Sequence, residues 1–406
     1  MQGSGARGVL GVPDVRRIVL VGLLVSIARW LEMLVIGVVV WQQTNSAFLV
    51  AMMTLLRLLP MGLFGAFLGV AADRVQRRSA LLAMLVVQGC LAASLAALAL
   101  SGLLAVWHLG LASFIAGIVW AADNPVRRMM LGEVVGASRM ARAVSIDVVA
   151  NNASRIAGPA VGGTILAAAG LGPAFLLCAG FYLLAVLAAL RLAHRSVIQP
   201  PRGGVLRDMQ ASFGLVLRTP GMAGVMIVTL IFNLFGWPVS SMIPVIGQEQ
   251  LRLGPEGVGL LAGMDGLGAL LGALLLVPLV RPAWYRAIYV GGTAMYCGMF
   301  VIFAAMTAAL PAALALLLVG IGSAAFAAMQ ATLVYTTAPP EMRSRALGVL
   351  SACIGLGLLG FLHLGLMAQW LGAPMATMVI GLEGICALLL TRRWWRTPLS
   401  PARSEP

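Results

Sequence analysis

The residues of this sequence able to do chemistry lie inside long apolar runs. Arg29 and Glu32 stand three apart within Ile18–Val40, so on a helix they share a face. Asp147, Asn151 and Arg155 recur every four residues and form one polar stripe. Asp265 stands between Gly263 and Gly266. Charges in hydrocarbon are costly and mostly functional. A buried carboxyl can carry a proton, because a motion that moves a guanidinium nearer or farther changes its proton affinity. Glu32 and Asp265 are the candidate carriers. Arg29, Arg155 and Asp147 are the groups that would tune them, Arg155 pairing with Asp265 or with Asp147. The competing reading of Arg29 and Glu32 is a static salt bridge that ties their helix to a neighbour. Arg57, in Leu-Arg-Leu-Leu-Pro60, is read as bonding to carbonyls freed by the proline. Asp123 and Arg127, four apart, suggest a local ion pair or latch. Glu383 is isolated in its run, and His108 and His363 lack ligand partners, so no metal site is read. Cys90, Cys178, Cys297, Cys353 and Cys386 lie in apolar runs at unrelated spacings and are read as small core residues.

The elements that must position these residues follow from composition. The chain of 406 residues is 61% hydrophobic and 10% charged. Runs of about 20 apolar residues, each long enough to cross a bilayer, recur along it. The expected fold is all-α, a polytopic membrane protein with spans near 18–41, 47–71, 79–101, 107–130, 143–169, 173–192, 221–247, 256–280, 287–309, 311–335, 344–370 and 373–391. The first run is too long for a leader core and is read as the first span. All 27 basic residues are arginine and the net charge is +14. Twenty-three of the 27 fall at the termini or in alternate loops, with Arg252 alone opposite. That asymmetry assigns both termini to the cytoplasm and displaces a nucleic-acid reading of the basic charge.

Loops on the other side are short, which makes consecutive helices antiparallel neighbours. One long connection, 193–220, divides an amino-terminal six-helix bundle (1–192) from a carboxy-terminal one (221–391), with a tail at 392–406. Within the connection, Val205–Leu217 could lie as an amphipathic helix on the membrane surface. The bundles echo each other: Arg139-x-x-Arg142-Ala-Val precedes the fifth span and Arg343-Ser-Arg345-Ala-Leu the eleventh. Two pseudo-symmetric bundles around a central site are a transporter architecture.

Between the second and third runs stands Gly69-Val-Ala-Ala-Asp73-Arg74-Val-Gln-Arg77-Arg78. It resembles the loop motif of the major facilitator superfamily, with Gln76 in place of the usual glycine. Gly158-Pro159-Ala-Val-Gly162-Gly163 resembles the motif of that superfamily's antiporters. Asp123-Asn-Pro125-Val-Arg127, Arg155-Ile-Ala-Gly158-Pro159 and Arg218-Thr-Pro220 are similar to the branch that includes the enterobactin exporter and related drug-efflux proteins. The resemblance implies a conformational latch at Gly69, Asp73, Arg74, Arg77, Arg78, Asp123 and Arg127, reaching the start of the eleventh span near Arg343–Ser344. It marks a fifth helix that Pro159 would bend and that Gly158, Gly162 and Gly163 would let pack tightly on a neighbour such as the eighth span, with its Gly259-x-x-x-Gly263 and Gly268-x-x-x-Gly272. It also implies a substrate cavity with Trp120, Phe232, Asn233, Trp237, Ser323 and Gln330 as candidates; for any one of these, plain packing is the competing reading.

The expected function is export of small amphipathic molecules by alternating access with proton antiport, by a monomer without cofactors. The partners are a small-molecule substrate, protons and the lipid bilayer, with no nucleic acid. A lipid or lysolipid flippase on the same fold and a non-transporting sensor are the rivals. No phosphate-binding glycine loop and no nucleophile–base pair is present in the sequence, so ATP use and enzyme chemistry are not expected.

Overall fold

The computed structural model describes residues 5–74, 76–193, 221–276, 279–338 and 343–395, without the side chains of 5–7, 64–74, 124, 137, 138, 141, 276 and 343–345. Among the latch residues, the side chains of Asp73, Arg74, Arg343 and Ser344 therefore lie outside the description, as do Val205–Leu217 and Arg218–Pro220. Every element among the described residues is helical. Hydrocarbon offers backbone groups no partner, so a spanning segment must satisfy them within itself.

A short helix α1 (Gly5–Leu10) precedes α2 (Pro13–Thr44), α3 (Ala47–Arg74), α4 (Arg77–Leu100), α5 (Val106–Val135), α6 (Ala137–Ala169) and α7 (Leu171–Leu190). After the connection come α8 (Met222–Ile231), α9 (Ile243–Glu249), α10 (Pro255–Leu271), α11 (Tyr285–Ala305) and α12 (Ala309–Thr337). The chain closes with α13 (Arg343–Gly355), α14 (Leu358–Leu371), α15 (Ala373–Leu390) and α16 (Arg392–Trp395). Ten helical segments among the described residues are long and apolar enough to cross a membrane. The other two long helices, α3 and α6, stand where the second and fifth spans were expected.

Two compact units form. Unit 1 holds 1–43, 56–202 and 253–263; unit 2 holds 44–55, 203–252 and 264–406. Their internal packing is alike. In unit 1, α4 packs on α7; in unit 2, α11 packs on α15. Gly170 turns α6 into α7 at φ 86°, and Gly372 turns α14 into α15 at φ 80°, backbone conformations that only glycine adopts cheaply. The most buried spans are the first of each unit, α2 and the segment Met222–Glu249.

That second segment is not one regular helix. A π-helical stretch, Phe232–Gly236, follows α8, and a 3-10 stretch, Trp237–Met242, leads into α9. Pro238 and Pro244 have no N–H to give the α-helical ladder, which accounts for the irregularity. Against it lies the break between α13 and α14 at Leu356–Gly357. A side chain at Gly357 would meet Asn233, and one at Gly360 would meet the Leu234 carbonyl and Pro238. Two interrupted spans thus support each other within unit 2.

Candidate functional site

The intramembrane charges of unit 1 converge. Arg29 of α2 donates to Asp123 Oδ2 of α5 at 3.0 Å. Arg127, one turn beyond Asp123, donates through Nε and Nη2 to both oxygens of that carboxylate at 3.0 and 3.2 Å. Its Nη1 donates to Asp147 Oδ1 of α6 at 2.7 Å. Glu32, one turn beyond Arg29, accepts a bond from Arg57 of α3 at 3.0 Å. These six side chains are only 2–5% exposed. The exposed Arg128 reaches the other Asp147 oxygen at 3.9 Å. Tyr182 of α7, fully buried, faces Glu32, Arg57 and Arg29.

One-turn spacing on α2 and on α5 puts each helix's charges on one face, and close helix approach brings those faces together. Gly22 of α2 is part of the reason. A side chain there would collide with the Arg127 guanidinium and come within 3.2 Å of Asp147 Oδ1. Two tryptophans complete the surround: Arg29 lies 4.9 Å above the Trp120 ring and Arg155 lies 5.3 Å above Trp30.

The arrangement holds three guanidinium and three carboxylate groups out of water with their charges balanced. Adding a proton to any of the acids leaves a buried arginine short of a counter-charge, a costly state. The acids differ in how firmly they are held. Asp123 accepts three bonds from two arginines, whereas Glu32 accepts one from Arg57.

Several sequence readings are corrected. Arg29 and Glu32 share a face, but each reaches a different helix. Arg57 does not serve the carbonyls around Pro60 through its Nη2, which binds Glu32. On the α6 stripe, Asp147 accepts a bond from Arg127 of α5, and the Arg155 guanidinium lies over Trp30 of α2. Glu383 is not isolated, since His363 Nε2 and Glu383 Oε2 lie 2.9 Å apart between α14 and α15. His108 Nδ1 accepts the Ala105 N–H at 2.9 Å and so caps the start of α5. In each case the partner lies on another element or in backbone geometry, which spacing along one helix does not report. Glu133, which ion-pairs with Arg77, and Tyr182 carried no signal beyond being polar groups in or beside apolar runs. Arg78 donates to the Leu190 carbonyl at 2.7 Å and caps the end of α7. The bent-helix motif lies on α10 within unit 1: a side chain at Gly163 would strike the Pro255 carbonyl and Gly259, and one at Gly259 the Pro159 carbonyl. Gly158 and Gly162 stand against Trp30 and Leu31 of α2.

Unit 2 builds its interior differently. Phe232 stacks on Phe326 with centroids 3.7 Å apart and meets Tyr296 at a tilt, with centroids 4.7 Å apart. Thr229 Oγ1 and Tyr289 Oη lie 2.6 Å apart, and both reach the Val225 carbonyl. Gln330 Nε2 donates to Thr229 Oγ1 at 3.2 Å, and Asn233 Nδ2 donates to the Thr229 carbonyl at 2.8 Å. Of the cavity candidates, Phe232 and Asn233 are therefore packed in the core, while Trp237, Ser323 and Gln330 are half-buried. Trp237 stands edge-on to Phe361. Asp265 is buried where α10 crosses α12 closely, its own carbonyl against Gly320.

Known proteins share this architecture. The profile of a family described as transmembrane secretion effectors, MFS_3, matches residues 12–400. An enterobactin exporter of Salmonella choleraesuis (strain SC-B67) is 26% identical over 65% of this chain and 66% of its own length. A macrolide efflux protein of Streptococcus pyogenes is 22% identical over 58% of this chain and 59% of its own. The chain thus spans 66% and 59% of the length of these two curated relatives. A crystal structure of a POT family transporter in complex with 5-aminolevulinic acid superposes with a TM-score of 0.75 at 13% identity, covering 93% of this chain and 95% of that one.

Proposed function

The chain belongs to the family of transmembrane secretion effectors within the major facilitator superfamily, and we propose that it exports small amphipathic molecules by alternating access driven by inward proton flow. It is a multi-pass membrane transporter of that superfamily fold and not an enzyme. The finer reading is an inner-membrane antiporter of twelve spans in two six-helix bundles with both termini cytoplasmic. Its cargo is drug-like or siderophore-like, as in the relatives named for enterobactin export and macrolide efflux.

The observation that carries the coupling is the balanced ion network buried in unit 1. Glu32 is the proton carrier in this reading, because one arginine holds it where two hold Asp123. Protonation would leave Arg57 short of its counter-charge and favour the conformation that gives it another. Arg29, Asp147, Arg155 and Asp265 are the further coupling candidates. Asp73 and Arg74, with Arg77, Arg78, Asp123 and Arg127, form the latch. Trp120, Trp237, Ser323 and Gln330 are the cavity candidates best placed to meet a substrate, since each is half-buried rather than enclosed.

Export of a panel of macrolides, catecholate siderophores and metabolites from cells with and without the gene identifies the cargo. Vesicles carrying the purified protein and an imposed pH gradient then test the coupling. Glu32→Gln should abolish gradient-driven transport while the protein still inserts. Wild-type transport by both Glu32→Gln and Asp265→Asn would remove the proton assignment.

A further inference from the structure

We infer that the arginine-rich end of unit 2 is a binding surface for the headgroups of anionic phospholipids. Two arginine–tryptophan pairs build it. Arg281 lies 5.5 Å above the Trp284 ring, and Arg393 lies 5.3 Å above Trp394. Trp284 is 51% exposed and Trp394 44%; Arg281, Arg392 and Arg393 are exposed as well. The two segments are remote in sequence but share one end of the unit. A side chain at Gly384 of α15 would meet Cys297 of α11, and one at Gly381 would meet Val301. The partner number rises as the other falls, so α11 and α15 run antiparallel. The start of α11, which follows Pro282–Trp284, therefore lies at the end where α15 passes into α16.

The α16 segment is held rather than trailing. Trp395 Nε1 donates to the Leu388 carbonyl at 2.9 Å. The backbone of Trp394 and Trp395 lies so close to Gly224 of α8 that a side chain there would collide. With the backbone pinned, Arg392, Arg393 and Trp394 are presented outwards. The acids among the described residues of unit 2, Glu249, Asp265 and Glu383, lie outside both segments. Indole rings favour the headgroup level of a bilayer, and guanidinium groups bind phosphate through paired N–H donors. A surface with both fits a lipid phosphate.

The full chain, purified in a mild detergent, is titrated with phosphatidylglycerol, cardiolipin or phosphatidylcholine, and retained lipid is read by native mass spectrometry. The wild type should retain the two anionic lipids selectively. The combined Arg281→Gln, Arg392→Gln and Arg393→Gln variant should retain them roughly tenfold less. Arg252→Gln, beyond the other end of the Met222–Glu249 segment, should behave as wild type. Equal retention of phosphatidylcholine, or undiminished retention by the triple variant, overturns the inference. So does displacement by millimolar inorganic phosphate, which would mark a free-anion site. If the triple variant does not fold, the wild type decides through salt. Retention that falls as salt rises supports the surface, and retention indifferent to salt overturns it.

Discussion

Where α2, α3, α5 and α6 of unit 1 meet, three arginines face three acids. Where α8, α11 and α12 of unit 2 meet, Thr229, Tyr289 and Gln330 bond around the stacked rings of Phe232 and Phe326. Both interiors satisfy polar groups away from water, and both sit in units whose helices pack alike. They differ in what can disturb them. A neutral network of hydroxyl and amide groups keeps its bonds across the physiological pH range. A network of carboxylates and guanidinium groups is one proton away from an uncompensated charge. The two units thus pack alike but hold different interiors, ionic in unit 1 and, where α8, α11 and α12 meet, bonded through hydroxyl and amide groups in unit 2.

The strongest way to break this contrast is Asp123→Asn. It withdraws the acceptor shared by Arg29 and Arg127, and should cost roughly 3–5 kcal/mol, read as a lower unfolding temperature in detergent, together with loss of transport. Next in size is the coupling between Glu32 and Arg57. A double-mutant cycle with Glu32→Gln and Arg57→Gln should show an interaction of about 1–3 kcal/mol in stability, with the double variant still unable to use a pH gradient. Additive effects would mean the 3.0 Å pair contributes little. Gly22→Ala tests the network from outside its charges. Its methyl group should displace the Arg127 guanidinium, cost about 1–3 kcal/mol and shift the pH profile of transport, whereas a purely packing role for Gly22 leaves the profile in place. In unit 2, Tyr289→Phe should cost about 1 kcal/mol and leave the pH profile unchanged. A changed profile there would end the distinction between the two interiors. The smallest effect is expected at the half-exposed pair on α14 and α15, where His363→Gln should change stability by less than about 1 kcal/mol.

Much of this molecule was legible before any coordinates. Long apolar runs announced spans, because a segment of that length and composition has few other soluble uses. Gly158–Gly163 marked a helix able to pack tightly, whereas Arg127, Arg128, Arg139 and Arg142, counted among the loop arginines, stand within α5 and α6. The intramembrane charges announced a site, because their cost in hydrocarbon makes idle ones rare. The partners were not legible. Arg29 and Glu32 looked like one pair and prove to be two, and Arg57 looked like a helper of Pro60 and proves to hold Glu32. Glu383 looked isolated while its partner His363 stood on the preceding helix.

The sequence by itself determined an all-helical membrane protein and which of its charges share a helix face. Those properties depend on local composition and on the period of a single helix. Only the tertiary structure decided that Arg29, Asp123, Arg127 and Asp147 form one chain of bonds, that Gly22 makes room for it, and that Thr229, Tyr289 and Gln330 of unit 2 bond beside stacked aromatic rings. Contacts between helices depend on which faces meet and how closely, and residues as far apart as Arg29 and Asp123 carry no periodic signal of each other.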